Sequence, residues 1–190
     1  YSLLDGYLTG KSKPSKRTGL SNKPADKFLS WLKSGRFVPK NEQMSFINRV
    51  FGQEQIVLLQ GPPGTGKTES LQLAVLAHVA AHKSSSRCRV LMVAPTHKAI
   101  QEFVDKLAAS WQSYCREVDG DMANLRIYRV TSSNIGSEKS ADGVIYVDYN
   151  NDEKTLGELK GCLLNQEKLG SSGSSAWPLI LCVTPPGMYG

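Results

Sequence analysis

The spacing of hydrophobic and polar positions divides the chain into short apolar runs and amphipathic stretches. Continuous apolar runs predict buried strands, and apolar residues at helical spacing predict helices. Alternation of the two predicts an α/β fold in which a parallel sheet is flanked by helices. In chain order we expect a helix at 26–34, a helix at 41–50, a strand at 56–59, a helix at 68–82, a strand at 89–94, and a helix with the inner stripe Ile100, Phe103, Val104, Leu107 and Ala108.

Residues 131–176 differ from this pattern because they are polar and rich in Gly and Ser. They contain one expected strand at 144–149 and one expected helix at about 153–169. A Thr155-x-x-Glu158 pattern within them is typical of a capping box at a helix start. We interpret the whole stretch as a polar insertion on the α/β core.

The positive charge of the chain is concentrated at its start. The 190 residues carry a net charge of +6, and residues 1–40 contain nine Lys or Arg against the two acids Asp5 and Asp26. We interpret residues 1–36 as a basic, partly flexible lead-in to a domain at 37–190. The lead-in is either a solvated segment or a basic arm that contacts nucleic-acid phosphates, and charge alone does not choose between them.

Cysteine and histidine spacing argues against a disulfide framework and against a zinc site. The four cysteines include no C-x-x-C pair, which favours a reducing, intracellular location, either cytoplasmic or nuclear. His78 and His82 have metal-ligand spacing, but Val79 replaces the glutamate of the H-E-x-x-H site, so we expect packed or surface histidines. No apolar stretch approaches the length of a membrane span, so no membrane partner is expected.

Residues 61–68 carry the most specific chemistry in the chain. Their sequence, Gly-Pro-Pro-Gly-Thr-Gly-Lys-Thr, is a complete G-x-x-x-x-G-K-[ST] phosphate-binding loop between an expected strand and an expected helix. Its backbone N–H groups can wrap a polyphosphate, and its glycines allow positive φ and close approach. Lys67 should reach the β and γ phosphates, and the Thr68 hydroxyl should ligate Mg²⁺. Both are the expected catalytic residues.

The phosphate-binding loop therefore predicts a nucleoside triphosphate and Mg²⁺ as cofactors. The N-terminus of the helix that follows the loop adds partial positive charge to the same anion site. The expected nucleotide contacts in this part of the chain are Gly61, Pro62, Pro63, Gly64, Thr65, Gly66, Lys67, Thr68 and Glu69.

The segment Pro95-Thr96-His97-Lys98 lies where an expected strand ends and an expected helix begins. A hydroxyl, an amide N–H and an imidazole can face a phosphate there, with Lys98 adding charge. The alternative is that Thr96 is an ordinary N-cap and that Lys98 points to water. Thr184 similarly either contacts nucleic acid or ends a buried strand before Pro185.

Together with the phosphate loop, three segments resemble motifs of the superfamily 1B helicases. This group includes the nonsense-mediated-decay helicase and its DNA-directed relatives. Asn41-Glu42-Gln43, which stands 18 positions before Gly61, resembles the Q motif. Residues 93–100 resemble motif Ia, and residues 181–185 resemble motif Ic; in helicases both motifs touch the strand that is tracked.

The resemblance covers about residues 37–130 and 177–187 and implies part of a RecA-like helicase ATP-binding domain. It implies ATP as the nucleotide, with the Gln43 amide hydrogen-bonding adenine through one donor and one acceptor. It also implies single-stranded DNA or RNA as a partner, and a second RecA-like domain that supplies arginine fingers. The residues implied in nucleic-acid contact are Pro95, Thr96, His97, Lys98, Thr184 and Pro185.

The chain departs from the helicase pattern at its end, where six residues follow Thr184 and leave no room for the Asp-Glu motif that holds Mg²⁺. The run 144–148 looks like a strand ending in such an acid, but Tyr149 follows where a second acid would help, so we do not expect a metal site there. We expect the parent helicase to couple ATP hydrolysis to movement, 5′ to 3′ by family, and to unwinding. The 190-residue piece alone is expected to be inactive in unwinding.

Two other functions fit parts of the sequence. An AAA-type ATPase that acts on proteins fits the phosphate loop, but the segments similar to motifs Ia and Ic and the absence of the AAA acid pair disfavour it. A non-catalytic, ATP-dependent nucleic-acid-binding module fits if the chain is complete as it stands. An Asp-Glu motif soon after residue 190 of the parent reading frame would favour the helicase, and a stop codon would favour the module.

Overall fold

The structure, a computed structural model, describes most of the chain in two compact units. The units are Tyr1–His78 and Val79–Gly190. Residues 1–22 of the basic lead-in and Pro185 lie outside the described part. The described residues are 23–35, 38–51, 57–82, 88–118, 125–131, 143–164 and 179–184.

The described part of the first unit is built mainly from helices. They are α1 (Lys23–Ser34), α2 (Asn41–Phe51) and α3 (Lys67–Ala81), whose last turn crosses into the second unit. All three confirm helices predicted from apolar spacing. The helices α1 and α2 bury one stripe each, and α3 is buried on most sides. Among the described side chains, the buried hydrophobic residues are Phe28 and Leu32 in α1 and Phe46 and Ile47 in α2.

Residues 57–60, directly before the phosphate loop, do not form the strand that the apolar run predicted. The backbone there is irregular, and Leu58 is 82% exposed. The prediction of a strand at 56–59 is therefore wrong for the residues that the structure describes. An apolar run indicates burial, but it does not supply the neighbouring strand that must take up the backbone hydrogen bonds.

The second unit contains a four-stranded parallel sheet. Its elements in chain order are β1 (Arg89–Val93), α4 (His97–Val118), β2 (Arg126–Thr131), β3 (Val144–Asp148), α5 (Glu153–Leu164) and β4 (Leu179–Val183). The strand order is β1-β4-β2-β3, and every pairing is parallel. The predicted α/β architecture, a parallel sheet flanked by helices, is confirmed. Because β4 lies between β1 and β2, the last described strand joins the first two into one layer.

The helices α4 and α5 lie on opposite faces of the sheet. Leu159 of α5 packs in a buried cluster with Tyr128 and Val147 on one face. Tyr146 precedes Val147 in β3, so its side chain points to the other face, where it contacts Gln101 of α4. The sheet is thus covered on both faces, as parallel sheets usually are.

The polar stretch that we interpreted as an insertion contributes one strand and one helix to this layered unit. Within it, β3 pairs with β2 along its whole length, and α5 packs over both. The expected strand and helix are confirmed; the interpretation as an insertion stays a prediction. The predicted capping box is wrong, because Asp152 is the N-cap: its carbonyl accepts from Leu156 N at 3.0 Å, and its Oδ1 accepts from Thr155 N at 3.0 Å.

Strand β2 was missed by the sequence analysis. Its run Arg126–Thr131 is interrupted by Arg129, which breaks the apolar pattern of a buried strand. In the structure Arg129 is only 3% exposed, and its guanidinium lies 5.5 Å from the centre of the Tyr146 ring. A buried charge stacked on an aromatic face is tolerated where an isolated one would be costly.

Candidate functional site

The phosphate-binding loop has the backbone conformation that its glycines allow. Gly64 has φ +79° and Gly66 has φ +77°, values that side chains rarely tolerate. The carbonyl of Gly66 accepts hydrogen bonds from Ser70 N at 2.8 Å and from Ser70 Oγ at 2.9 Å. Gly66 is therefore the N-cap of α3, and the loop leads directly into a helix N-terminus, a favourable place for an anion.

The three loop glycines differ in what surrounds them. A Cβ on Gly66 would lie 2.6 Å from Nε2 of Gln43, and a Cβ on Gly61 would lie 2.9 Å from Oγ1 of Thr65. A Cβ on Gly64 would meet no heavy atom within 4 Å. Glycine is thus favoured at 64 by backbone conformation alone, at 61 by the close approach of Thr65, and at 66 mainly by backbone conformation, since the nearby Gln43 side chain can move.

The side chain of Lys67 folds back into the loop. Its Nζ donates to the carbonyl oxygens of Gly61 at 2.6 Å and of Pro62 at 2.5 Å. The hydroxyl of Thr65 donates to the same Pro62 oxygen at 2.8 Å. An ammonium held by loop carbonyls brings positive charge to the segment whose backbone N–H groups can bind a polyphosphate.

The residues beside Lys67 fit a magnesium ion bound together with a nucleotide. Thr68 is exposed at the first turn of α3, so its hydroxyl is open to an incoming ligand. Mg²⁺ is commonly held by few protein oxygens plus substrate phosphates and waters, and one hydroxyl suits that requirement. Glu69 is half-buried, with Oε2 at 3.9 Å from the Cβ position of Gly66. Pro62 and Pro63 are exposed on the loop.

Gln43, predicted to read adenine, lies in the first turn of α2 and beside the loop. Its Oε1 accepts a hydrogen bond from Lys40 N at 2.8 Å, which caps the start of α2. Its Nε2 faces Gly66. The structure therefore brings Gln43 and the phosphate loop together, although 18 positions of sequence separate Gln43 from Gly61.

Two further predicted residues, Thr96 and Thr184, lie at the ends of neighbouring parallel strands; we call them the strand-end threonines. Val93 of β1 is in register with Val183 of β4, and Ala94 N donates to the Val183 carbonyl at 3.4 Å. Thr184 follows Val183 directly and is half-buried. The two segments that resemble motifs Ia and Ic are distant in sequence and adjacent in the sheet.

Thr96 is the N-cap of α4, as its alternative interpretation predicted. Its Oγ1 accepts from Ala99 N at 3.1 Å, and its carbonyl accepts from Ile100 N at 3.2 Å. A hydroxyl oxygen that accepts can still donate its own proton, so capping leaves Thr96 one hydrogen bond for a ligand. Thr96 and Lys98 are exposed, as is Pro95, while His97 is half-buried.

A polar chain that the sequence analysis missed ties α4 to the sheet. The amide nitrogen of Gln101 donates to Asp105 Oδ1 at 2.6 Å and to the Tyr146 hydroxyl at 3.0 Å. Arg129 lies against the same tyrosine ring. This series of side-chain contacts begins at Gln101, between one and two turns after Thr96. It therefore fixes the first part of α4 on β2 and β3. The arginine within the otherwise apolar run of β2, Arg129, was the feature of the sequence that could have indicated these contacts.

The remaining candidate ligands are engaged in local structure. Asp148 accepts from Asn151 Nδ2 at 2.8 Å and from Asn150 N at 2.9 Å, and these bonds lower its pKa. Burial raises the pKa of Cys88 to about 11 and that of Cys182 to about 12, with Arg129 opposing the second shift. Across the described ranges, no three His, Cys, Asp or Glu side chains are grouped to hold a metal.

The fold and the loop together define a P-loop ATPase domain: a parallel sheet, a glycine-rich phosphate loop and a helix that starts at the loop lysine. A family model described as an AAA domain matches residues 39–162, more than half of the chain. The chain belongs to this family of ATP-dependent helicases and AAA-type ATPases. No curated protein and no solved structure gives a significant match. Within the described ranges, no helix is both long and apolar enough to cross a membrane.

Proposed function

We propose that this chain is the ATP-binding part of the first motor domain of a superfamily 1B helicase. In this proposal the chain binds ATP with Mg²⁺ and a single strand of DNA or RNA. The parent protein couples ATP hydrolysis to movement on that strand and to duplex unwinding. The observation that carries the proposal is the pairing of β1 with β4, which brings the ends of these two strands, just before Thr96 and Thr184, to the same edge of the sheet.

On the nucleotide side, the loop N–H groups and the α3 N-terminus surround the phosphates. Lys67 turns from the carbonyls of Gly61 and Pro62 to the β and γ phosphate oxygens. The Thr68 hydroxyl holds Mg²⁺, which supplies charge neutralisation when bound. Gln43 is placed by resemblance at the adenine, and this role stays a prediction.

On the nucleic-acid side, the strand-end threonines offer hydroxyl donors to backbone phosphates. Neighbouring strands in a sheet lie about 4.8 Å apart, so the two chain segments share one small surface. Thr96 sits at the N-terminus of the 22-residue helix α4, whose first N–H groups also attract phosphate. Exposed Lys98 adds a positive charge whose attraction to phosphates does not depend on the base sequence.

Binding measurements on the full 190-residue chain test both halves of the proposal. We expect mant-ATP to bind in the presence of Mg²⁺, and a labelled single strand to bind with fluorescence anisotropy that falls as salt rises. Thr184→Val should lower strand affinity and leave mant-ATP affinity unchanged. A chain that binds ATP but no single strand, in the presence or absence of nucleotide, would contradict the helicase assignment.

An AAA-type ATPase that acts on proteins is the second candidate, because the matched family is described as an AAA domain. ATPase measurements on the parent protein distinguish the helicase from the AAA-type ATPase. Stimulation of its ATPase by single strands supports the helicase, and stimulation by unfolded polypeptide alone supports the AAA-type enzyme. Strand binding without any turnover in the parent supports the non-catalytic module.

A further inference from the structure

The side-chain amide of Gln101 joins helix α4 to the sheet. Its nitrogen donates to the Tyr146 hydroxyl of β3 at 3.0 Å and to Asp105 Oδ1, one turn further along α4, at 2.6 Å. An amide nitrogen carries two protons and an aspartate carboxylate only accepts, so this orientation of the amide satisfies both contacts. The Asp105 contact holds the amide on the helix, and the Tyr146 contact crosses to the sheet.

The acceptor on the sheet is itself held in place by Arg129. Arg129 is the register partner of Tyr146 in the neighbouring strand β2, and its guanidinium lies 5.5 Å from the centre of the Tyr146 ring. Arg129 is 3% exposed. A buried guanidinium packed against the ring leaves the tyrosine little room for other rotamers. The Tyr146 hydroxyl is therefore a fixed point of the sheet to which α4 is bonded.

This bond supplies a directional contact that the apolar packing of α4 does not. Ile100, Phe103 and Val104 are buried, but apolar burial is non-directional and tolerates small rotations of a helix. A hydrogen bond weakens steeply when it is misaligned, so it selects one rotation of α4 about its axis. A side-chain tip lies about 6 Å from a helix axis, so a rotation of about 20° would move it by roughly 2 Å.

Such a rotation would move the groups that we propose for nucleic-acid contact. Thr96 caps the start of α4, and Lys98 precedes Gln101 by three positions, so Lys98 and Gln101 lie on the same side of the helix. Thr184, by contrast, follows β4 and belongs to the sheet. The rotation of α4 therefore sets where Thr96 and Lys98 lie relative to Thr184.

We infer that Gln101 is a positioning residue for the binding of single-stranded nucleic acid, acting with Tyr146. Together they fix the rotation of α4, so that the Thr96 hydroxyl and the Lys98 charge are placed for backbone phosphates. Neither Gln101 nor Tyr146 needs to touch the nucleic acid. Through Tyr146, the polar stretch 131–176 contributes to this binding. The inference rests on the proposed nucleic-acid binding and deepens it.

Two variants remove the bond by different means. Gln101→Met keeps the side-chain length and the helix propensity, and Tyr146→Phe keeps the ring beside Arg129. We expect each to lower the affinity of the full chain for a labelled single strand about fivefold, the order of one hydrogen bond. Fluorescence anisotropy well below the unfolding temperature of each variant measures this, and mant-ATP affinity should not change. Tyr149→Phe, which removes an exposed hydroxyl after β3, is the control and should match the wild type.

A double-mutant cycle separates positioning from a general loss of stability. Because Gln101 acts through groups that include Lys98, Lys98→Ala should cost less single-strand affinity in the Gln101→Met background than in the wild type. The slope of log affinity against log salt should also become shallower in Gln101→Met, by up to about 0.7, the value for one phosphate contact on a single strand. A variant that is only less stable changes neither quantity.

Wild-type single-strand affinity in both Gln101→Met and Tyr146→Phe would overturn the inference. An undiminished effect of Lys98→Ala in the Gln101→Met background would also overturn it, as would an equal loss of mant-ATP affinity. If the wild-type chain binds no single strand, the proposed nucleic-acid binding fails instead, so the two failures are distinguishable.

Discussion

The phosphate loop and the strand-end threonines, the two candidate phosphate-binding regions, are built by different physical means. The loop relies on backbone shape, with two glycines at positive φ and a lysine that is hydrogen-bonded to loop carbonyls. The strand ends rely on regular pairing of β1 with β4, and their candidate groups are the threonine hydroxyls and the start of α4. Substitutions should therefore disturb the loop through its backbone, and the strand ends through the single group that is removed or added.

The largest expected effect comes from the charge inside the loop. Lys67→Ala should lower ATP affinity about 100-fold, because it removes charge-assisted bonds to two phosphates. It should leave the affinity for single-stranded nucleic acid, measured without nucleotide, unchanged. Lys98→Ala is the matched control, a lysine of the strand-end region, and should show the reverse pattern. Mant-ATP titration and anisotropy with a labelled strand measure both. Equal losses for both ligands in Lys67→Ala would erase the distinction between the two regions.

The next comparison lies within the loop. Gly64→Ala and Gly66→Ala both force a side chain into positive φ, at a cost of about 1–2 kcal/mol. Gly66→Ala also places a Cβ against Gln43, so it should lower ATP affinity and unfolding temperature more than Gly64→Ala. Adding Gln43→Ala to Gly66→Ala should recover part of the unfolding temperature. If the double variant is no better than the single one, the Gln43 contact is not the source of the difference.

At the strand ends, the helix cap and the ligand contact of Thr96 can be separated. Thr96→Asp retains a good N-cap but brings negative charge to the surface, so strand affinity should fall about tenfold while thermal stability is kept. Thr96→Ser keeps cap and hydroxyl and should resemble the wild type. Strand anisotropy with thermal unfolding measures both properties. If Thr96→Asp binds single-stranded nucleic acid with wild-type affinity, Thr96 acts only as a helix cap.

The smallest expected effect concerns the polar chain beneath α4. Tyr146→Phe removes the hydroxyl that accepts from Gln101 and keeps the ring under Arg129, so unfolding free energy should fall by about 1 kcal/mol. Tyr149→Phe, an exposed tyrosine at the end of the same strand, is the control and should be neutral. Urea denaturation followed by circular dichroism compares them. Equal stability of the two variants would show that the Gln101 bond contributes nothing.

The sequence predicted what depends on local patterns. The phosphate loop and the helices follow from glycine placement and apolar spacing within short windows, and the structure has them within a few residues of the expected bounds. The proximity of Gln43 Nε2 to Gly66 was not predictable in detail, because it depends on how α2 lies beside the loop. A local pattern also misled at α5, where Asp152 caps the helix three residues before the expected Thr155.

Strand pairing was the least predictable property, because the partner of a strand is distant in sequence. The apolar run before the loop lacked a neighbouring strand in the described sheet, whereas β2 formed despite the charge of Arg129. The adjacency of the strands that precede Thr96 and Thr184 follows only from the strand order. No spacing rule along the chain contains that order, since β4 pairs with both β1 and β2.

The carbonyl contacts of Lys67 make nucleotide entry an exchange of ligands at the ammonium group. The group does not wait as a bare, hydrated cation, since Gly61 and Pro62 already supply two acceptors. Each phosphate oxygen that arrives must displace one of these, so only the difference between the two sets of bonds appears in the measured affinity. When the phosphates leave, the same two carbonyls can pair with the lysine again, so its charge is not left without acceptors.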